Sequence, residues 1–485
     1  MNRLRNALLV AFVATLLLLP LWIDRYPPLL DYPDHLARSF IIFHLDDPAY
    51  RFRIFYSTQW GPYPYLGMDV LLIGLQHLLS AEVAGRVLLS VCVLLVPIGG
   101  WWFLRQANPS HNALAVWILL LSYNPFFLEG FVNFQLALGL CFLTLGFWLR
   151  CLEKTTIARW ATVLALVTCT YLTHLYAFGI CAFVMLAYSL ASRVRFRQIA
   201  WSCGFFLPGA LMFFLSGIAS YNGQQVRVRS LLHKFFAGRA ALLHGYSLRL
   251  ELVTFWVIVA CMIAAWLGNR QFRWNRSWLI VFFAMAGLYL ALPNEIGESW
   301  LIDVRVVPAL FIVVLAVAKL GRRQRSLALV GMLLFGIRTA DIVRNFKQQQ
   351  PALLSMHNAI QMLPRNTRML PIINVDIVGD DLLHQLYAHF WAYAIIQRGV
   401  LAPGLFELPG QTALRINNAE QYVPEEPETR PPNWEDVCRN YDYIWAYNAD
   451  YYRRQVLAFA TEVYSAGRLR LFRVCRTVDE SACGP

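Results

Sequence analysis

Ten stretches of this chain run for 12 to 33 residues without one Asp, Glu, Lys or Arg: Ala7–Ile23, Val87–Leu104, Asn112–Leu128, Phe131–Leu149, Trp160–Ser192, Gln198–Gly217, Leu252–Asn269, Ser277–Asn294, Val306–Ala318 and Ser326–Ile337. An apolar helix of about 20 residues spans a bilayer, so the fold expected is mainly α and polytopic. Composition agrees: charged residues are 15% of 485 and hydrophobic ones 58%, where a soluble domain carries about 25% charge. A soluble single domain and a disordered chain are both excluded.

The charge is uneven. Up to residue 340 there are 28 Lys+Arg against 13 Asp+Glu, and beyond it 14 against 16. The basic excess lies between apolar runs, which is the pattern of membrane topology rather than of a nucleic-acid surface. Arg150, Lys154 and Arg159 precede the 33-residue run, and Arg193, Arg195 and Arg197 follow it. Positive-inside placement puts both ends in the cytoplasm and makes the run a hairpin with its tip near His174. That gives 11 spans in all. The first, Ala7–Ile23, is kept because no small-x-small cleavage site follows it. The N-terminus is then cytoplasmic and the C-terminus outside, at a plasma (inner) membrane. The last span is short and requires Arg338 to snorkel.

Residues 1–340 thus form a transmembrane domain with two long outer loops, 24–86 and 218–251. Residues 341–485 form a small outer α/β domain, with helices expected at Leu353–Met362 and Leu382–Gln397 and short strands at Met369–Val378, Tyr441–Tyr447 and Leu469–Val474. In the first loop, Gly67–Ser80 is expected to lie along the membrane surface with Asp69 and His77 on its polar face. If the tail is outside, Cys438–Cys475 is the first disulfide to expect, with Cys483 left over.

No apolar run carries a charge, which disfavours an ion-coupled carrier and moves the search for chemistry to the outer loops. The segment Leu30-Asp31-Tyr32-Pro33-Asp34-His35-Leu36-Ala37-Arg38 has two readings. In the structural one, Asp31 caps a helix, Pro33 sits in its first turn, and Asp34 pairs with Arg38 at i,i+4. In the functional one, a carboxylate flanked by His35 is held at a rigid helix start, able to accept a proton from an attacking hydroxyl.

With this segment, Gly130-Phe131-Val132-Asn133-Phe134 and His174-Leu175-Tyr176-Ala177-Phe178, the chain resembles the GT-C superfamily of integral membrane glycosyltransferases, in particular bacterial members using polyprenyl-phosphate sugars. The resemblance implies transfer of a sugar from such a donor to a hydroxyl on a lipid or glycan acceptor at the outer face, with inversion. It implies Asp34 as general base with Asp31 as close competitor and His35 beside them. His35 stands where the family often has a second acidic residue, so the choice of base and any divalent metal stay open; no metal ligand and no cofactor are assigned.

The leaving lipid phosphate calls for guanidinium groups. Arg305, at the outer start of the tenth span, comes first, then Arg227 and Arg229 on the basic loop, with Arg38 and His174. Snorkelling competes for Arg305, headgroup attraction for Arg227 and Arg229, and packing for His174. Glu129, Glu295, Glu298 and Asp303 are weaker candidates, the last three as partners of Arg305 or of a metal. No nucleotide-binding loop occurs, in keeping with a lipid-borne donor. The rival functions are a lipid-linked glycan polymerase or ligase, which would rely on the arginines of 227–249, and a non-catalytic glycolipid transporter or flippase.

Overall fold

The computed structural model describes residues 2–218, 226–243, 245, 247–267, 275–297, 299–317, 324–374, 387–417 and 432–475. The chain divides into two compact units, each discontinuous in sequence: Met1–Ile23 with Pro62–Met68 and Val87–Asn345, and Asp24–Gly61 with Asp69–Arg86 and Phe346–Pro485. Most of the first loop therefore clusters with the C-terminal segment.

The first unit is helical. Among the described residues, five helices are long and apolar enough to cross a membrane, Leu4–Trp22, Ala81–Ala107, Val132–Glu153, Phe196–Leu215 and Gln324–Met362, or six if the bent pair Leu231–Leu243 and Leu248–Ile263 is one span. Several apolar runs form shorter helices, including Ile157–Thr173, Leu175–Ala191 and Arg276–Ala291. Val132–Glu153 lies deepest, with Phe134 and Trp148 fully enclosed. Glycine lets Ala81–Ala107 approach it: a methyl group added at Gly99 would sit 2.5 Å from the carbonyl oxygen of Gly139, so only hydrogen fits. The 33-residue run is indeed two helices, broken at His174, whose backbone is extended (φ −165°, ψ 121°).

Two expectations about the end of this unit are corrected. The short last run and the separately expected Leu353–Met362 belong to a single helix, Gln324–Met362. The polar stretch between them does not stop it, because Arg, Lys, Gln and Ala are good helix formers whether or not lipid surrounds them. Arg338 does not snorkel: it is 3% exposed, paired with Glu251, and donates to the carbonyls of Leu243 and Tyr123 at 2.8 Å each.

The second unit holds a four-stranded mixed sheet ordered Met369–Ile373, Tyr443–Tyr447, Leu469–Val474, Ala460–Ala466, the first pair parallel and the others antiparallel. Leu370, Ile372, Ile444, Ala446 and Phe472 form its core with Val437 and Tyr441. Strands form within all three expected segments, although that of Met369–Val378 ends at Ile373 and residues 375–378 lie outside the described residues; Ala460–Ala466 was not expected, because its half-buried pattern lacks a continuous apolar run. A separate two-stranded ladder joins Tyr56–Thr58 of the first loop to Leu414–Ile416. Of the expected helix Leu382–Gln397, residues 382–386 lie outside the described residues, and the remainder includes a helix at Tyr393–Arg398. The Cys438–Cys475 disulfide is not formed: Cys438 is a free thiol, while Cys475 is disulfide-bonded. Cys483 lies outside the described residues.

Candidate functional site

In the second unit the helix Tyr32–Phe43 begins where the Pro33 pattern places it, with Asp31 at the N-cap position. Yet Asp31 makes no side-chain cap. Its backbone is already helical (φ −83°, ψ −11°), and Pro33 supplies no N–H at the second helical position. Its carboxylate is turned instead toward a group the sequence reading never singled out, His389. The Nε2 atom of His389 lies 3.6 Å from Asp31 Oδ1, and its Nδ1 lies 2.7 Å from Asp34 Oδ2. One imidazole thus faces both acidic residues. Asp34 is fully enclosed and His389 is 7% exposed. Burial raises the Asp34 carboxyl above its ordinary value of 3.8, while the nearby His389 and Arg38 oppose the rise.

The expected Asp34–Arg38 pair is not made. Arg38 turns to Asp69, with Nη2 2.9 Å from Oδ1 and Nε 3.2 Å from both oxygens. Both side chains are almost wholly buried, so Asp69 is no polar-face residue of a surface helix; His77 is exposed, with its ring against Phe43. A bidentate guanidinium–carboxylate fork outcompetes a single i,i+4 contact. His35 and His389 both pack their rings on Phe406, with centroids at 5.0 and 5.5 Å. Burial and the Arg38 and His389 charges push His35 well below 6.5, so its ring is neutral near pH 7.

A cationic site occupies the first unit. Asp303 starts the turn Val304–Val306 by accepting from the Val304 N–H at 2.9 Å. Arg305 follows, only 7% exposed. Its guanidinium lies over the rings of Phe131, Phe134 and Tyr176, at 4.9, 5.7 and 5.0 Å, a cation–π enclosure. Its Nη2 donates to the Trp300 carbonyl at 3.1 Å, and its Nη1 is 3.0 Å from His174 Nε2. The two motifs Gly130–Phe134 and His174–Phe178 thus meet around one arginine.

His174 links two helices, and its Nδ1 accepts from the Tyr176 N–H at 3.2 Å. The other ring nitrogen, Nε2, faces the Arg305 guanidinium, so the imidazole ties the start of the second helix to the arginine.

The other basic residues already face carboxylates. Arg229 and the buried Lys234 flank Asp303 at 3.1 and 3.4 Å, and Arg227, largely exposed, lies 3.5 Å from Glu295. The expected pairing of Arg305 with Asp303 or Glu295 is therefore corrected; Glu298 lies outside the described residues. Glu129 is buried at the end of the short helix Pro125–Leu128. Among the described residues no group of three or more His, Cys, Asp and Glu is placed to hold a metal ion.

The helical first unit thus holds an enclosed arginine, and the mixed-sheet second unit holds a carboxylate–imidazole cluster. No family model and no curated protein matches the sequence. The likeness is structural: the crystal structure of ArnT from Cupriavidus metallidurans in the apo state superposes with a TM-score of 0.62 at 13% identity, covering 100% of this chain and 99% of that one. At that identity the two share a fold.

Proposed function

We propose that the chain is a membrane glycosyltransferase that moves a sugar from a polyprenyl-phosphate donor to a hydroxyl acceptor at the outer face, with inversion. The acceptor hydroxyl attacks the anomeric carbon as Asp34 takes its proton. The sugar–phosphate bond breaks, and its electron pair leaves on the phosphate oxygen. In the first unit, Arg305 and His174 are the groups suited to a phosphate oxygen, a guanidinium enclosed by aromatic rings with an imidazole beside it. Arg38 acts through Asp69 as a positioning group, and Arg227 and Arg229 steady the segment before Arg305. The multi-pass topology keeps the N-terminus cytoplasmic and the tail outside.

The observation that carries this reading is the buried Asp34 carboxylate against His389 at 2.7 Å. Burial makes it a stronger base than a solvated aspartate, and the neighbouring His389 and Arg38 oppose that rise. A fold alone assigns no activity, whereas this pair makes a definite chemical claim. The test is transfer of a labelled sugar from a polyprenyl phosphate by the purified chain, followed against pH.

The acid limb of kcat/KM is expected above the ordinary aspartate value of 3.8, because burial holds the proton on Asp34 to higher pH. His389→Gln removes the opposing charge and should move that limb further up while leaving the alkaline plateau within about tenfold of wild type. If His389→Gln instead abolishes transfer at every pH, His389 is itself the base and Asp34 its orienting partner.

Arg305→Ala is expected to lower kcat/KM for the donor by about a hundredfold. Arg305→Lys, which keeps charge but loses the planar fork, should lower it by about tenfold. Equal, small effects of both on kcat/KM would remove Arg305 from the phosphate.

A further inference from the structure

A cavity of about 630 Å³ opens between the helices Leu175–Ala191 and Arg276–Ala291 in the first unit. Its walls include Phe183, Leu186, Leu190 and Ile280. The spacing of the helices is set by ring packing, since Tyr188 and the fully buried Trp278 lie 4.5 Å apart. The walls stay accessible, with Leu190 62% and Ile280 43% exposed. At one end lie Arg193, two residues past the first helix, and Arg276, the first residue of the second. Both guanidiniums are exposed, and neither forms an ion pair among the described residues.

Apolar walls ending in two unneutralised cations match a molecule with hydrocarbon chains and an anionic head. We propose that this groove binds an anionic glycerophospholipid, its acyl chains along Leu186, Leu190 and Ile280 and its phosphate on Arg193 and Arg276. Basic pockets between membrane helices recognise anionic headgroups in this way. A zwitterionic lipid brings an ammonium that the same pair repels. Bilayer phospholipid, rather than the rarer polyprenyl carrier, is the occupant favoured, because the exposed walls exchange directly with bulk lipid. The proposal is independent of the glycosyltransferase reading.

The test is native mass spectrometry of the full-length detergent-solubilised protein offered phosphatidylglycerol or phosphatidylcholine. One phosphatidylglycerol should be retained in preference by about thirtyfold, with each arginine contributing about fivefold. Arg193→Gln/Arg276→Gln should bring the preference to about one. Leu190→Trp, which fills the groove and leaves both arginines in place, should lose the bound lipid as well and covers the case of a double variant that fails to fold. Equal retention of the two lipids, an unchanged preference in the double variant, or displacement of phosphatidylglycerol by one equivalent of polyprenyl phosphate overturns the proposal.

Discussion

Asp34→Asn is expected to lower sugar transfer by about a hundred- to ten-thousandfold, the range a positioned general base contributes, while the protein stays folded. The side chain keeps its shape but loses the lone pair basic enough to take the acceptor proton. Stability should move the other way. Burial holds the folded-state proton affinity of Asp34 above that of the unfolded chain. Its contribution to stability is therefore fully present below 3.8 and is lost as pH rises through the folded value. Above the folded value the ionised carboxylate is kept at a cost in stability, and Asn removes that cost together with the partner of His389. Thermal unfolding of the variant at pH 7 should thus match or exceed wild type, and the pH slope assigned to Asp34 should flatten. Such a trade of stability for activity is the mark of a working group rather than a packing one. Transfer at the wild-type rate by Asp34→Asn would eliminate it as the base.

Arg38→Ala should have the largest effect on folding. It strands Asp69, 0% exposed, without its countercharge, and breaking a buried pair from one side costs about 3–5 kcal/mol. Burial already raises the Asp69 carboxyl against the pull of Arg38; without Arg38 it rises further. Since a neutral carboxyl is cheaper to bury, the damage should shrink as pH falls from 7.5 toward 5.5, by the same sign of linkage as for Asp34. Arg38→Met combined with Asp69→Leu should recover most of the loss, because well-packed apolar replacements of a buried pair are often neutral. Unfolding midpoints of the three proteins at two pH values decide it. If the double variant is as damaged as the single one, the pair is not the source of the stability.

The apolar helices were legible because each run carries its own signal, and the break at His174 was legible because arginines flank both ends of a run too long for one helix. Two short motifs, around Phe131 and His174, marked residues that do meet, on Arg305. His389 was not legible. It sits more than 350 residues beyond Asp34, in a segment whose helical spacing gave it no distinction. Shorter separations of 31, 87 and 74 residues likewise hid the Arg38–Asp69 fork behind an apparent i,i+4 pair and hid the partners of Arg338 and Arg229.

The amino-acid sequence alone determined that the chain enters a membrane repeatedly and carries acidic and basic groups between its apolar runs, because the free energy of burying a run in lipid sums over neighbouring residues. Only the tertiary structure decided which carboxylate faces which cation, because an ion pair depends on separations of a few ångströms that chain distance does not encode.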